Sequence, residues 1–123
     1  MSVIVRDDGF YAEDFTGTAT DLAADTAPDQ LAQLCHGADL VRIAFPAFSD
    51  GRGFTLARRA RAAGFTGRLR AAGHVLADQY AMARRSGFDE VEISAELAAR
   101  QGPAQWAARA DWQAGDYRAR LRG

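Results

Sequence analysis

The chain has 123 residues, with 15 basic and 16 acidic side chains and a net charge of −1; every one of its cations besides the two histidines is arginine. That length suits one domain with one core, expected to span residues 1–123, and is too short for a closed eight-fold barrel. Near-neutrality argues against non-specific nucleic-acid binding, the single cysteine rules out a disulfide framework or cysteine-ligated cluster within one chain, and no apolar run approaches a membrane span.

Alanine dominates the apolar residues, 27 against 17 Val, Ile and Leu together. Alanine buries little area, so the aromatic residues must supply much of the hydrophobic stabilisation. Extra burial in a homo-oligomer would suit this composition. Met1–Val5 lacks the charged-then-apolar layout of a signal peptide, which makes the cytoplasm the expected location.

From the N-terminus, Ser2–Val5 is short and β-branched, and Asp7-Asp8-Gly9 is a turn signal. Phe10-Tyr11 with Phe15 resumes an extended pattern, so a β-hairpin is expected. Thr16–Thr26, polar and small, reads as loop or a short turn of helix. Pro28 suits the first turn of a helix with Leu31 and Leu34 on its apolar face, ended by Gly37. Leu40–Phe45 is a nearly continuous apolar run and predicts a central strand covered on both faces.

Phe54–Ala63 predicts a helix with Leu56, Ala57, Ala60 and Ala63 inward and Arg58, Arg59 and Arg61 outward. Arg68–Ala72 reads as a second strand. Val75–Ser86 reads as a helix with Leu76, Tyr80 and Ala83 on one stripe. Glu90–Ser94 alternates, with Val91 and Ile93 on one face, and predicts a third strand nearer an edge. Gly64-Phe65 and Gly87-Phe88 are the same helix stop, 23 residues apart. A repeated βα unit follows, and hence a small parallel βαβαβ sheet with helices on its faces, an N-terminal hairpin and a helical C-terminal tail. In the tail, Ala95–Arg100 is helical, Gly102-Pro103 breaks it and Ala104–Ala110 resumes. Trp106 with Ala110, and Trp112 with Tyr117, are the expected docking residues.

All strands of a parallel sheet point their carboxyl ends to one edge, where α/β proteins place their chemistry. Three loops converge there: Phe48–Gly53, Gly73-His74 and Ser94-Ala95-Glu96. The candidate binding surface is Ser49, Asp50, Gly51, Arg52, Gly53, His74, Asp78 and Gln79. Backbone N–H groups at a helix start, with Arg52, would suit an anion. Equally, Asp50 or Ser49 would cap the helix while Arg52 pairs with an acid. The glycine spacing matches neither a phosphate loop nor a dinucleotide fingerprint.

His74 and Asp78 lie one turn apart, as an acid–base pair would, but two ligands do not make a metal site, and none is expected. Cys35 beside His36 reads as a buried structural cysteine, since neighbours on a helix diverge. Arg58-Arg59 and Arg84-Arg85 read as solvated helix faces, with a basic patch for an acidic partner as the alternative.

Phe45-Pro46, Ser49-Asp50-Gly51-Arg52-Gly53-Phe54-Thr55-Leu56-Ala57-Arg58, Gly64-Phe65-Thr66-Gly67-Arg68-Leu69-Arg70-Ala71, Gly73, Val75-Leu76, Asp78-Gln79, Arg85 and Gly87-Phe88-Asp89 form an ordered set. In these residues the stretch from Val41 to Ser94 resembles a bacterial family known only as a domain of unknown function, DUF934. His74 and Ala77 depart from its pattern, which has Asp and Arg there. The resemblance implies an accessory role beside assimilatory sulfite reductase, under a loose oxidoreductase label, with that reductase or another sulfur-assimilation enzyme as partner. No catalytic residue is assigned and no cofactor is expected, a flavin on a non-standard loop being left open. A small-molecule enzyme or anion-binding module at the carboxyl edge is the first alternative, and an oligomeric scaffold the second.

Overall fold

A computed structural model describes residues 2–13 and 15–110. Its strands are β1 Ser2–Arg6, β2 Gly9–Tyr11, β3 Ala19–Leu22, β4 Leu40–Phe45, β5 Arg68–Gly73 and β6 Glu90–Ser94. Its helices are α1 Leu31–Leu34, α2 Arg52–Ala62, α3 Tyr80–Ser86, α4 Ala95–Arg100 and α5 Pro103–Ala107, with 3₁₀ turns at Pro28–Gln30 and Ala77–Gln79. The strands form one sheet in the order β2-β1-β6-β5-β4-β3. Strands β3 to β6 are parallel, and β1 is antiparallel to both β2 and β6. The fold is α/β with a mostly parallel sheet and an N-terminal hairpin, as the sequence implies. No helix among the described residues is long and apolar enough to cross a membrane.

The two faces of the sheet are chemically opposite. Cross-strand register aligns Val5, Val91, Ala71, Ile43 and Leu22 in one row. These residues are buried in one core with Leu31, Leu56, Ala57, Tyr80, Ala83 and Trp106 from the helical segments. One residue along each strand, the side chains point the other way. There the row reads Asp21, Arg42, Arg70 and Glu90, and Arg6 reaches Glu90 at 3.0 Å.

Arg70 is fully buried and Glu90 is 2% exposed. Arg70 Nε donates to Glu90 at 2.7 Å, and its Nη1 donates to Glu92 at 2.8 Å and also to Glu13. Glu92 also accepts from Arg42 at 3.2 Å, so one carboxylate neutralises two guanidinium groups that are register neighbours. Arg42 in turn grips Asp21 with Nε and Nη2, at 2.6 and 2.9 Å. Glu13 belongs to the link from β2 to β3, which must travel from one edge of the sheet to the other. It crosses the charged face, where the Phe15 ring lies 5.4 Å from the Arg68 guanidinium carbon.

Several expectations change. Strand β4 is not covered on both faces by apolar layers, because its second face carries Arg42 and an exposed Ala44. Strand β6 is interior, since β1 adds antiparallel to the side that the sequence leaves open. The segment read as loop contains β3, an edge strand whose Asp21 answers Arg42 and whose Leu22 alone is buried. Helix α1 turns Leu31 and Cys35 inward and leaves Leu34 38% exposed, because the 3₁₀ turn after Pro28 shifts its phase.

The two Gly-Phe stops behave as expected. Gly64 and Gly87 have φ of 103° and 113°, and the Phe65 and Phe88 amides reach back to the Ala60 and Ala83 carbonyls at 3.1 Å. Ala63 is exposed rather than inward. Arg61 is half-buried and bonds the Phe65, Gly67 and Gly87 carbonyls, stapling the two stops together. Trp106 is buried as expected, its Nε1 donating to the Gln101 carbonyl at 2.9 Å; Trp112 and Tyr117 lie outside the described residues.

Two measurements follow. Removing one partner of a buried ion pair leaves an uncompensated charge at a cost of about 3–5 kcal/mol. Arg70→Ala, which leaves buried Glu90 with Arg6 as its one hydrogen-bonding cation, is therefore expected to lose up to about that much stability in urea unfolding, and Asp21→Ala, at an exposed carboxylate, about 1 kcal/mol or less. Glu13 and Asp21 are held below their ordinary 4.5 and 3.8, chiefly by hydrogen bonds from Arg70 and Arg42. Carboxylates lowered in this way stabilise the fold fully above those values, and the contribution is lost as pH falls through the folded-state pKa values below them. Urea midpoints between pH 6 and pH 2 should drop in that acid range, and less so in Glu13→Gln.

Candidate functional site

Strands β3 to β6 lie side by side in chain order, and the helices that link them share the apolar face of the sheet. Consequently no two neighbouring connections part to opposite faces, and the crevice that such a parting opens in doubly wound sheets does not form. The carboxyl edge carries instead a shallow cleft of about 230 Å³. Phe48, Gly73, His74, Ser94, Glu96 and Arg100 line it. The three loops expected to converge do meet here.

The turn after β5 is fixed by backbone geometry. Gly73 has φ +120°, and a Cβ there would stand 2.7 Å from the Phe45 carbonyl oxygen. That oxygen accepts the His74 amide at 2.9 Å and lies 3.2 Å from His74 Nδ1. A carbonyl only accepts, so Nδ1 donates in this contact. The Phe48 ring meets the His74 ring edge-on at 5.0 Å and is 39% exposed. Gln79 anchors this loop: its Nε2 donates to the Phe48 carbonyl and its Oε1 accepts the Leu76 amide, both at 2.9 Å.

The other predicted residues serve internal roles. Asp50 accepts the Arg52 amide at 3.1 Å and the Arg52 guanidinium at 2.7 Å. That hydrogen-bonding arginine holds the Asp50 carboxyl below the usual range. The loop therefore supplies its own anion to its own arginine. Gly51 is the residue at the helix cap, with open space around its α-carbon. Gly53 is buried, and a Cβ there would press into the Phe45 ring at 2.5 Å. Ser49 is exposed on the loop. Asp78 pairs with Arg109 at 2.8 Å and lines a different depression with Gln101 and Gln105.

The eight residues thus divide. His74 joins the cleft, Gln79 supports it from behind, Asp50 and Arg52 close on each other, and Asp78 faces α5. Sequence reasoning missed Arg100, whose spacing from Glu96 gives an i,i+4 ion pair at 2.7 Å. At the opposite edge of the sheet, Cys35 is 5% exposed, and burial pushes its thiol up. It lines a depression with His36 and Gly64 to Gly67, as expected of a structural cysteine there. Among the described residues no three His, Cys, Asp or Glu side chains gather as a metal site would require.

The family model described as a bacterial protein of unknown function (DUF934) matches residues 19–121. The chain belongs to this DUF934 family. The match runs from β3 through the carboxyl-edge loops and past α5, well beyond Val41–Ser94. No curated protein and no solved structure matches the chain.

The two loop glycines give a sharp contrast for this DUF934 chain. Gly53→Ala should destabilise by about 1–3 kcal/mol through overpacking against Phe45. Gly51→Ala, in open space at φ −92°, should stay within about 0.5 kcal/mol of the wild type. Equal effects in urea unfolding would contradict the packing role.

Proposed function

We propose that this protein is an accessory partner of the assimilatory sulfite-reducing enzyme and works by contact rather than by its own turnover. The observation that carries this reading is the state of the polar groups at the carboxyl edge. Asp50 and Arg52 neutralise each other, Asp78 is taken by Arg109, and both ends of the Gln79 amide are bonded to backbone. A catalytic acid or base must be within reach of substrate and tuned to its task, whereas these groups fix loops. The loops so fixed form a rigid shallow surface, which suits recognition of another protein. The sulfur-assimilation setting comes from the DUF934 resemblance.

Purified protein and sulfite reductase, mixed at micromolar concentrations, should co-elute in size-exclusion chromatography, and deletion of the gene should slow growth on sulfate as sole sulfur source. Independent elution together with normal growth would overturn the reading.

A second reading has one observation in its favour. The cleft sets His74 beside Arg100, whose guanidinium can donate to an oxyanion. A small oxyanion bound there would raise the melting temperature, since a ligand selective for the native state stabilises it by mass action. Sulfite or sulfate should then shift the wild type and not His74→Ala; an unmoved wild type removes this alternative.

A further inference from the structure

We infer that the outward face of α2 and α3 is a docking surface for an acidic protein, an inference that rests on the reading that the chain works by contact with a partner. Helix α2 contains Arg52, Arg58, Arg59 and Arg61, and α3 contains Arg84 and Arg85; neither contains an acidic residue. The two helices lie side by side with their last turns level, because Arg61 donates to the carbonyl of Gly87, the residue that caps α3, at 2.8 Å. Arg58, Arg59 and Arg85 therefore stand on the same level of one two-helix face, and all three are exposed. Met82, one turn before Arg85, is 48% exposed and gives the face an apolar contact point.

The arginines divide by use. Arg52 is held by Asp50, Arg61 by Asp89, and Arg84 by Asp7. Arg58 and Arg59 make no ion pair among the described residues. A favourable helix dipole accounts for cations in a last turn. It does not account for the absence of acids from the outward positions of both helices, where mixed signs are the norm. Helix α4 shows that norm in this same chain, with Glu96 paired to Arg100. In a molecule of net charge −1, exposed cations clustered on one helix face steer and orient a partner of opposite charge. A nucleic acid fits less well. Its charge would extend past the patch towards Asp7 and Asp8 at the hairpin turn, and Met82 would find no apolar counterpart.

Binding should be measured at low and physiological salt with a polyglutamate peptide, with a DNA duplex of equal charge, and with sulfite reductase. The proteins would be the wild type, R58E/R59E/R85E and the milder R58Q/R59Q. Unchanged circular dichroism would show that each variant folds. The wild type should bind polyglutamate with an affinity that falls with salt. The triple variant should lose roughly tenfold or more, and R58Q/R59Q part of that. A complex with the reductase should follow the same order. Polyglutamate and reductase binding by folded R58E/R59E/R85E as tight as wild type would overturn the inference, as would tighter binding of the duplex through the same residues. Wild type that binds polyglutamate through this face but ignores the reductase upholds the face and overturns the named partner.

Discussion

Arg70 at full burial sets the terms for the rest of the molecule. A guanidinium cannot be taken out of water without acceptors on most of its donors, and here Glu90, Glu92 and Glu13 supply them. Two of these carboxylates come from the neighbouring strand, so strand register and charge neutralisation are one constraint. A slip of one residue in β6 against β5 would bring Glu90 and Glu92 to the apolar side and Val91 and Ile93 to the charged side. The third carboxylate comes from the link between β2 and β3, which is thereby drawn across the sheet. The ion network thus also fixes the path of the longest excursion the N-terminal segment makes.

Sealing one face with ions and a crossing link leaves the helices only the other. With strands β3 to β6 added in chain order and every helix on the same side, the carboxyl-edge loops lie beside one another and no gap opens between them. The alanine-rich composition fits this arrangement. Ala57, Ala60 and Ala83 are buried against the sheet, and their small side chains let two helices share a narrow apolar floor. The aromatic residues close its ends: Phe45 meets Phe54 and Phe88 edge-on at 5.0 and 5.8 Å, and Tyr80 meets Trp106 at 5.9 Å.

The sequence announced features that are set locally. The repeated Gly-Phe stop, the turn at Asp7-Asp8-Gly9 and the alternation of Val91 and Ile93 each encode their structure within a few residues, and each was legible. Features decided by distant partners were not. Arg68 and Arg70 gave no sign of their role, because nothing local shows that Glu90, Glu92 and Glu13 await them. Thr20 and Asp21 read as loop, because an edge strand needs little apolar content and Arg42 supplies the partner. The candidate site divided in the same way. Convergence of three loops followed from topology, while the closing of Asp50 on Arg52 depended on a side-chain geometry two residues long that the motif leaves open.

The net charge of −1 hides a partition. Asp21, Glu13, Glu90 and Glu92 are matched against Arg6, Arg42, Arg68 and Arg70 on the sheet face, so four of the 16 acids and four of the 15 arginines belong to one network. What solvent and partners meet is the remainder, and it is unevenly spread. Helices α2 and α3 carry only cations, and most of the remaining described acids sit in loops. Whole-chain neutrality correctly weighs against indiscriminate binding of polyanions, because long-range attraction depends on the sum. It says nothing about a contact made within a Debye length, where only the local sign matters. The Arg70 network is what makes these two statements compatible: it holds four carboxylates on the sheet face, while α2 and α3 contain arginines and no acid of their own.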